Sequence, residues 1–225
     1  LVGSEMCIRD SDMALANFTP YFKVSSEILR MSGDLCFLPV WYAPSDAYIR
    51  IYDTDTAETF ISQVSEFIRF EKSRFVENGF ACDIVPWGWS PSLVHMLVKD
   101  GGDSSFLPNH ETLDKIRFLS GRQRCVDVLS ELSVVESTCG KAFCCYSMED
   151  VKNYLQIYGK LILKSPWSGS GRGLCRVSPD VWSKNIEGWI SRILRTQGCV
   201  MAEPIYNKAV SYTHLRAHET RHDLV

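Results

Sequence analysis

Leu161 to Leu174 reads LILKSPWSGSGRGL, an apolar strand-like run that ends in Lys164 and passes at once into a loop of glycine and serine. Gly169, Gly171 and Gly173 free the backbone to turn its N–H groups toward an anion. The loop is not a P-loop, because no Gly-Lys-Ser/Thr closes it. It is also a poor dinucleotide fingerprint, since Leu174 to Val177 (LCRV) reads as a strand where a helix would have to begin. A loop joining two antiparallel strands can instead fold down over phosphates as a flap, with Lys164 reaching the same phosphates from beneath as a point charge.

Outward from this loop, the C-terminal half reads as alternating helices and strands. A helix over Glu111 to Leu132 leads into a strand over Lys141 to Tyr146, and Ser147 caps a helix carrying Val151, Tyr154, Leu155 and Tyr158, stopped by Gly159. Beyond LCRV, Ser178-Pro179 starts a helix with Trp182, Ile186, Trp189, Ile190, Ile193 and Leu194 on one face, ended by Gly198. Cys199 to Ala202 is a strand leading into Glu203.

The N-terminal half has two strand-like runs, Leu35 to Val40 and Ala47 to Tyr52, and then a helix. Asp55 and Glu58 form its capping-box pair, Phe60, Ile61, Val64, Phe67 and Ile68 its apolar stripe, and Asn78-Gly79 its end. Ala81 to Val85 follows as a strand, and Ser90-Pro91 opens a short helix. Strand, helix, strand, helix argues a layered α/β unit with a mainly parallel sheet.

The two ends read differently from the rest. Val2 to Asp10 (VGSEMCIRD) can be encoded by codons whose reverse complement spells Val210 to His218 (VSYTHLRAH), as translated sequencing adapter would be. Residues 1–11 and 210–225 are therefore set aside, and the natural termini are expected outside this chain. With them go Cys7 and the spacing of His214, His218 and His222, which would otherwise suggest a zinc site on one helix face.

The remaining stretch of roughly 200 residues is long enough for a sizeable core, in one large or two small domains. Net charge is −3, and setting aside the flanks, whose seven charged residues sum to −1, leaves −2 with no basic stripe. Nucleic acid is not the default partner. No apolar run approaches the length of a membrane span. Eight scattered cysteines without a CxxC pair suit a reducing cytoplasm.

The string LILKSPWSGSGRGL resembles the ATP-binding core of ATP-grasp proteins, in which a strand ends in Lys, a mobile glycine loop follows and an arginine lies between its last glycines. Lys164 and Arg172 keep that spacing, and VMAEPIY places Glu203 at the position of the adenine-hinge glutamate. Ser120-Gly121-Arg122 supplies Arg122 where many members carry Lys. DMALANFTPYFKVS, DLCFLPVWYA and PWGWSP resemble, more narrowly, an uncharacterised bacterial ATP-grasp-like family.

The resemblance implies an α/β, ATP-grasp-like fold: a Rossmann-like pre-ATP-grasp domain over residues 12–108, then a truncated ATP-grasp domain over 109–209. It implies ATP as cofactor, with Lys164, Ser168, Gly169, Ser170, Gly171, Arg172 and Gly173 at the phosphates, Glu203 at the base, and Tyr206 and Arg122 also in the nucleotide site. Mg2+ is implied too, with ligands expected beyond the hinge, outside this stretch. The complete protein would then be an ATP-dependent ligase activating a small-molecule or peptide carboxylate, this fragment being inactive. The alternative is an ATP-binding or sensing module without catalysis. A Gly/Ser run alone is more often a flexible connector, and Glu203 or Arg122 alone would be an ordinary surface charge. Trp87 and Trp89, flanking Gly88, read as packing residues before ligand contacts, and His95 and His110 as structural or exposed.

Overall fold

The side chains of a strand alternate between its two faces, and Leu161 and Leu163 are fully buried while Ile162 and Lys164 are half-buried. One face of the sheet around them is thus covered and the other partly open. The computed structural model describes residues 2–3, 8–65, 67, 75–77, 82–132, 134–135, 139–168 and 173–206. Within them the chain forms two small sheets surrounded by helices, an α/β protein.

The first sheet holds β1 (Val2–Gly3), β2 (Ile49–Arg50) and β3 (Phe75–Val76), in that order and all parallel. Around it run α1 (Ile8–Asn17), α2 (Ser26–Leu35), α3 (Thr54–Val64) and α4 (Pro91–Lys99). Both β1 and the start of α1 lie in the stretch set aside as adapter-like. Phe37, stacked on Phe60 at 4.4 Å and edge-on to Phe75 at 5.8 Å, closes an apolar cluster with Ile49 and Ile51. Arg50 is pinned by Asp100 at 2.6 Å.

The second sheet has the order β4 (Phe143–Cys145), β7 (Val200–Pro204), β5 (Leu161–Lys164), β6 (Leu174–Val177), every pair antiparallel. Its covered face packs on α7 (Met148–Tyr158) and α8 (Lys184–Gln197), with Cys145, Val151, Leu161, Leu163, Val177 and Ile190 among the core residues. Capping fixes these helices as the sequence implies. Ser147 and Asp150 form a reciprocal capping box at the start of α7, and Gly159 and Gly198 end α7 and α8 with positive φ. Ser90 caps α4 with Pro91 in its first turn.

Several expectations are corrected. Leu35 to Val40 is not a strand: Leu35 closes α2, and Leu38–Trp41 is a 3-10 turn. Pro39 has no N–H for a sheet ladder, and the turn buries Phe37 and Val40 together. The Ala47 to Tyr52 strand shrinks to Ile49–Arg50. Asp53, not Asp55, caps α3, accepting from the N–H groups of Asp55 and Thr56; the side chain of Glu58 lies outside the described residues. The helix stops at Val64, leaving Phe67 exposed, while Ile68, Asn78 and Gly79 lie outside the described residues. Of Ala81 to Val85 only Val85 keeps a bridge, Ala81 being outside the described residues, and Phe75–Val76 takes the place in the sheet.

The expected helix over Glu111 to Leu132 is two helices, α5 (His110–Ser120) and α6 (Arg124–Leu132), broken at Gly121. A Cβ there would displace the end of the Gln123 side chain and lie 3.2 Å from the Trp167 ring, which would have to give slightly. Ser178-Pro179 forms a turn, and α8 starts one turn later because Ser183 takes the cap, accepting from the Ile186 N–H.

Candidate functional site

The register Lys164↔Met201 and Ile162↔Glu203 makes Lys164 and Glu203 diagonal neighbours on the sheet face opposite the core. The Lys164 ammonium donates to the Glu203 carboxylate at 2.5 Å, across 39 positions of sequence, with the two side chains 25% and 29% exposed. A partly exposed pair of this kind contributes only about 1 kcal/mol or less. Its meaning is positional: it sets a cation and a carboxylate together at the root of the hairpin.

The hairpin's outgoing stem is held far more firmly. The Arg122 guanidinium donates to Ser165 O, Ser168 Oγ and Ser168 O, each at 2.6 Å, and the Arg122 N–H donates to Pro166 O at 3.1 Å. Hydrogen bonds from a charged donor contribute roughly 1.5–3 kcal/mol each, so this clamp outweighs the ion pair. Across the hairpin, the Ser165 N–H donates to Gly173 O at 2.8 Å. Gly173 has φ +74°, and a Cβ on it would meet Ser165 Oγ at 2.6 Å and Ser168 Oγ at 2.7 Å.

Trp167 supplies the third hold, which the sequence reading did not assign. Its indole N–H lies 3.1 Å from Arg117 O, its backbone N–H donates to the Gln197 side chain at 3.0 Å, and the Arg117 guanidinium covers its ring at 4.5 Å. Arg117 reaches on to Leu15 O at 2.9 Å and lies over the Phe18 ring. The stem is thereby tied to α1, α5 and α8. The Trp in SPWSG was the available signal, a large aromatic beside a glycine loop, but its partners lie as far as 50 positions away.

The expected site residues divide between two clefts. Arg122, Glu203 and Tyr206 line one of about 560 Å3 at the α5–α6 break, together with Arg124, Lys141 and the apolar Val128 and Leu129. That volume falls within the roughly 300–1,000 Å3 of small-molecule sites. Arg124 Nε is buried without a partner, while its Nη1 pairs with Asp127 at 2.8 Å. Ser168 and Gly173 line a second cleft of about 340 Å3, beside Asn17, Arg192 and Gln197. Lys164 lines neither cleft and is joined to the first through its bond to Glu203. Gly169, Ser170, Gly171 and Arg172 lie outside the described residues, as do His214, His218 and His222.

Cysteines underlie part of this sheet. Cys144 Sγ lies 3.5 Å from Met201 Sδ. Burial pushes the Cys145 thiol up to about 12 and that of Cys199 to about 11, so both stay protonated and unreactive near neutrality. All eight described cysteines are free thiols. Among the described residues, no group of three or more His, Cys, Asp or Glu is placed to hold a metal ion, and no helix is long and apolar enough to cross a membrane.

Trp87 is about half exposed and donates to Tyr42 Oη at 3.1 Å, whereas Trp89 packs on the cluster of Ala14, Leu93 and Leu97. His110 is exposed and faces Asp114, and His95 stands edge-on to Tyr21. No protein-family model, curated protein or solved structure matches the chain.

Proposed function

We propose that the chain binds ATP in the manner of ATP-grasp proteins, between the Leu161–Val177 hairpin and the cleft at the α5–α6 break. The observation that carries this reading is the pairing of Lys164 with Glu203 on the open sheet face, at the root of a glycine loop between antiparallel strands. Lys164 and the loop's N–H groups, from Gly169 to Gly173, take the phosphates. Arg172 assists them, and Glu203 and Tyr206 frame the base against Val128 and Leu129. Arg122, whose donors already serve Ser165 and Ser168, acts by holding the loop's stem at its proper height.

The wider proposal is a cytoplasmic, carboxylate-activating ligase, with this stretch supplying the nucleotide half. Its domains are the pre-ATP-grasp unit of residues 12–108 and the ATP-grasp unit of 109–209. Among the described residues no group of three or more His, Cys, Asp or Glu is placed to hold a metal ion, and in this proposal the magnesium ligands come from beyond the hinge at Glu203. Developing phosphate charge is met here by fixed cations and backbone donors.

Calorimetric titration with ATP tests the reading. Lys164→Ala should weaken binding by about 1.5–3 kcal/mol, the value of one charge-assisted contact. No saturable binding by the wild type, or equal affinity in the variant, removes Lys164 and the hairpin from a nucleotide site. Binding without turnover in a protein carrying the missing metal ligands would keep the nucleotide and discard the ligase.

A further inference from the structure

A different cleft, of about 450 Å3, lies in the N-terminal half between α2, α4 and the segment that joins α1 to α2. Phe22, Leu29, Leu93 and Met96 give it apolar walls, and Tyr21 and Tyr52 stand at its mouth. Tyr21 is 76% exposed and edge-on to His95, with ring centroids 5.4 Å apart. An aromatic ring so placed covers no core of its own, yet it extends the cleft wall.

The charges around this cleft are of one sign. Lys23 and Lys99 line it beside the His95 ring, and no Asp or Glu does among the described residues, in a chain whose net charge is −3. Both lysines are exposed. The carboxylates that follow Tyr52 and Lys99 in sequence are engaged elsewhere. Asp53 caps α3 through Asp55 and Thr56, and Asp100 pairs with Arg50 at 2.6 Å. The lysine ammoniums are therefore available to an incoming anion, and the walls to an apolar body.

We propose that this cleft binds a small carboxylic acid with an apolar chain or ring, its carboxylate held by Lys23 and Lys99 and its body laid between Leu29, Leu93 and Met96 under Tyr21. The shape excludes a highly polar anion, which would leave the apolar walls wet. The sign of the rim disfavours a cation of the same body. The site shares no residue with the Lys164–Glu203 region, so the two proposals stand or fall separately.

The test uses the full chain with octanoate, 3-phenylpropionate, octanol and octylamine, each titrated calorimetrically and by chemical-shift perturbation. The acids should saturate and bind about tenfold or more tighter than octylamine, one charge-assisted contact being worth roughly that factor. Lys23→Glu/Lys99→Glu should lose about tenfold or more for the acids while leaving octanol unchanged. Both positions are on the surface, and an unaltered melting curve establishes that the variant is folded. Leu29→Ser, which removes apolar wall without adding a charge, should weaken acids and octanol alike. The absence of saturable acid binding, equal affinity for octylamine, or an unaffected double variant overturns the proposal.

Discussion

Ile49 and Leu163 are both central-strand residues with almost no exposure, but they are held in different ways. Leu163 lies in a four-residue strand with antiparallel partners on both sides, one of them its own hairpin mate. Ile49 lies in a two-residue strand whose neighbours are also two residues long and arrive from distant parts of the chain. Among the described residues, the C-terminal sheet gathers ten buried residues into one cluster, whereas the N-terminal apolar residues fall into separate smaller groups. A continuous core sums its contacts; separate ones rely on side-chain pins such as Arg50 with Asp100. Lys164 and Glu203 sit in the half with the continuous core, where the antiparallel β5–β7 pairing sets their register.

The strongest way to break this contrast is to remove core volume from each half. Leu163→Ala should cost about 2–5 kcal/mol and unfold α7, α8 and the sheet together. Ile49→Ala should fall at or below the low end of that range, because short strands let the site collapse around the gap. Denaturant unfolding with hydrogen exchange by region measures both. An equal or larger loss at Ile49, with N-terminal amides the better protected, would show that the contrast in strand length does not govern stability.

A smaller effect sharpens the picture at the hairpin. Gly159 and Gly173 both have positive φ, but a Cβ at Gly159 meets nothing within 4 Å, while one at Gly173 collides with Ser165 and Ser168. Gly159→Ala should cost only backbone strain, of order 1 kcal/mol, and Gly173→Ala about 1–3 kcal/mol plus the displaced stem. Thermal unfolding compares the two, and amide shifts at Ser165 and Ser168 report whether Arg122 keeps its grip. Equal losses would mean that the stem yields freely and the clamp is weak.

The same division explains what could be read from the residues alone. Ser147, Gly159, Gly198 and the strand-like run Leu161 to Lys164 are local signals, complete within a few positions, and the elements they mark are in place, while α8 starts from its Ser183 cap rather than at Ser178-Pro179. In the N-terminal half, Leu35 to Val40 has strand-like composition, but burying Phe37 against Phe60 and Phe75 favours the turn. That preference comes from residues far along the chain. Arg122 as a clamp, Trp167 as an anchor and Arg117 as a strut were illegible for the same reason, since the Arg117 bond to Leu15 spans 102 positions. Lys164 and Glu203 were each legible as strand-end positions, but their pairing depends on the β5–β7 register, which sets Glu203 opposite Ile162 and so diagonal to Lys164.

The smallest expected effect concerns the caps, one in each half. Asp150 accepts from the N–H groups of Tyr146 and Ser147, and Asp53 from Thr56 and Asp55. The Tyr146 N–H chiefly holds the Asp150 carboxyl below its ordinary value of 3.8, as the Thr56 hydroxyl does for Asp53. A lowered folded value means that each cap contributes its stability fully above the ordinary carboxylate value and loses it as pH falls through the lower folded value. Asp150→Asn should therefore lower the stability of α7 near neutrality and flatten its acid limb, and Asp53→Asn should do the same for α3, each difference from the wild type vanishing as pH falls below the folded carboxyl value. Ser147→Ala, which removes the reciprocal half of the capping box, should cost about 1 kcal/mol with little dependence on pH. Unfolding followed from pH 7 downward through the ordinary carboxylate value separates them. An acid limb unchanged in Asp150→Asn would mean that the capping carboxylate is as well solvated in the folded chain as in the unfolded one, and that helix α7 owes its start to packing of Val151 and Leu155 rather than to its cap.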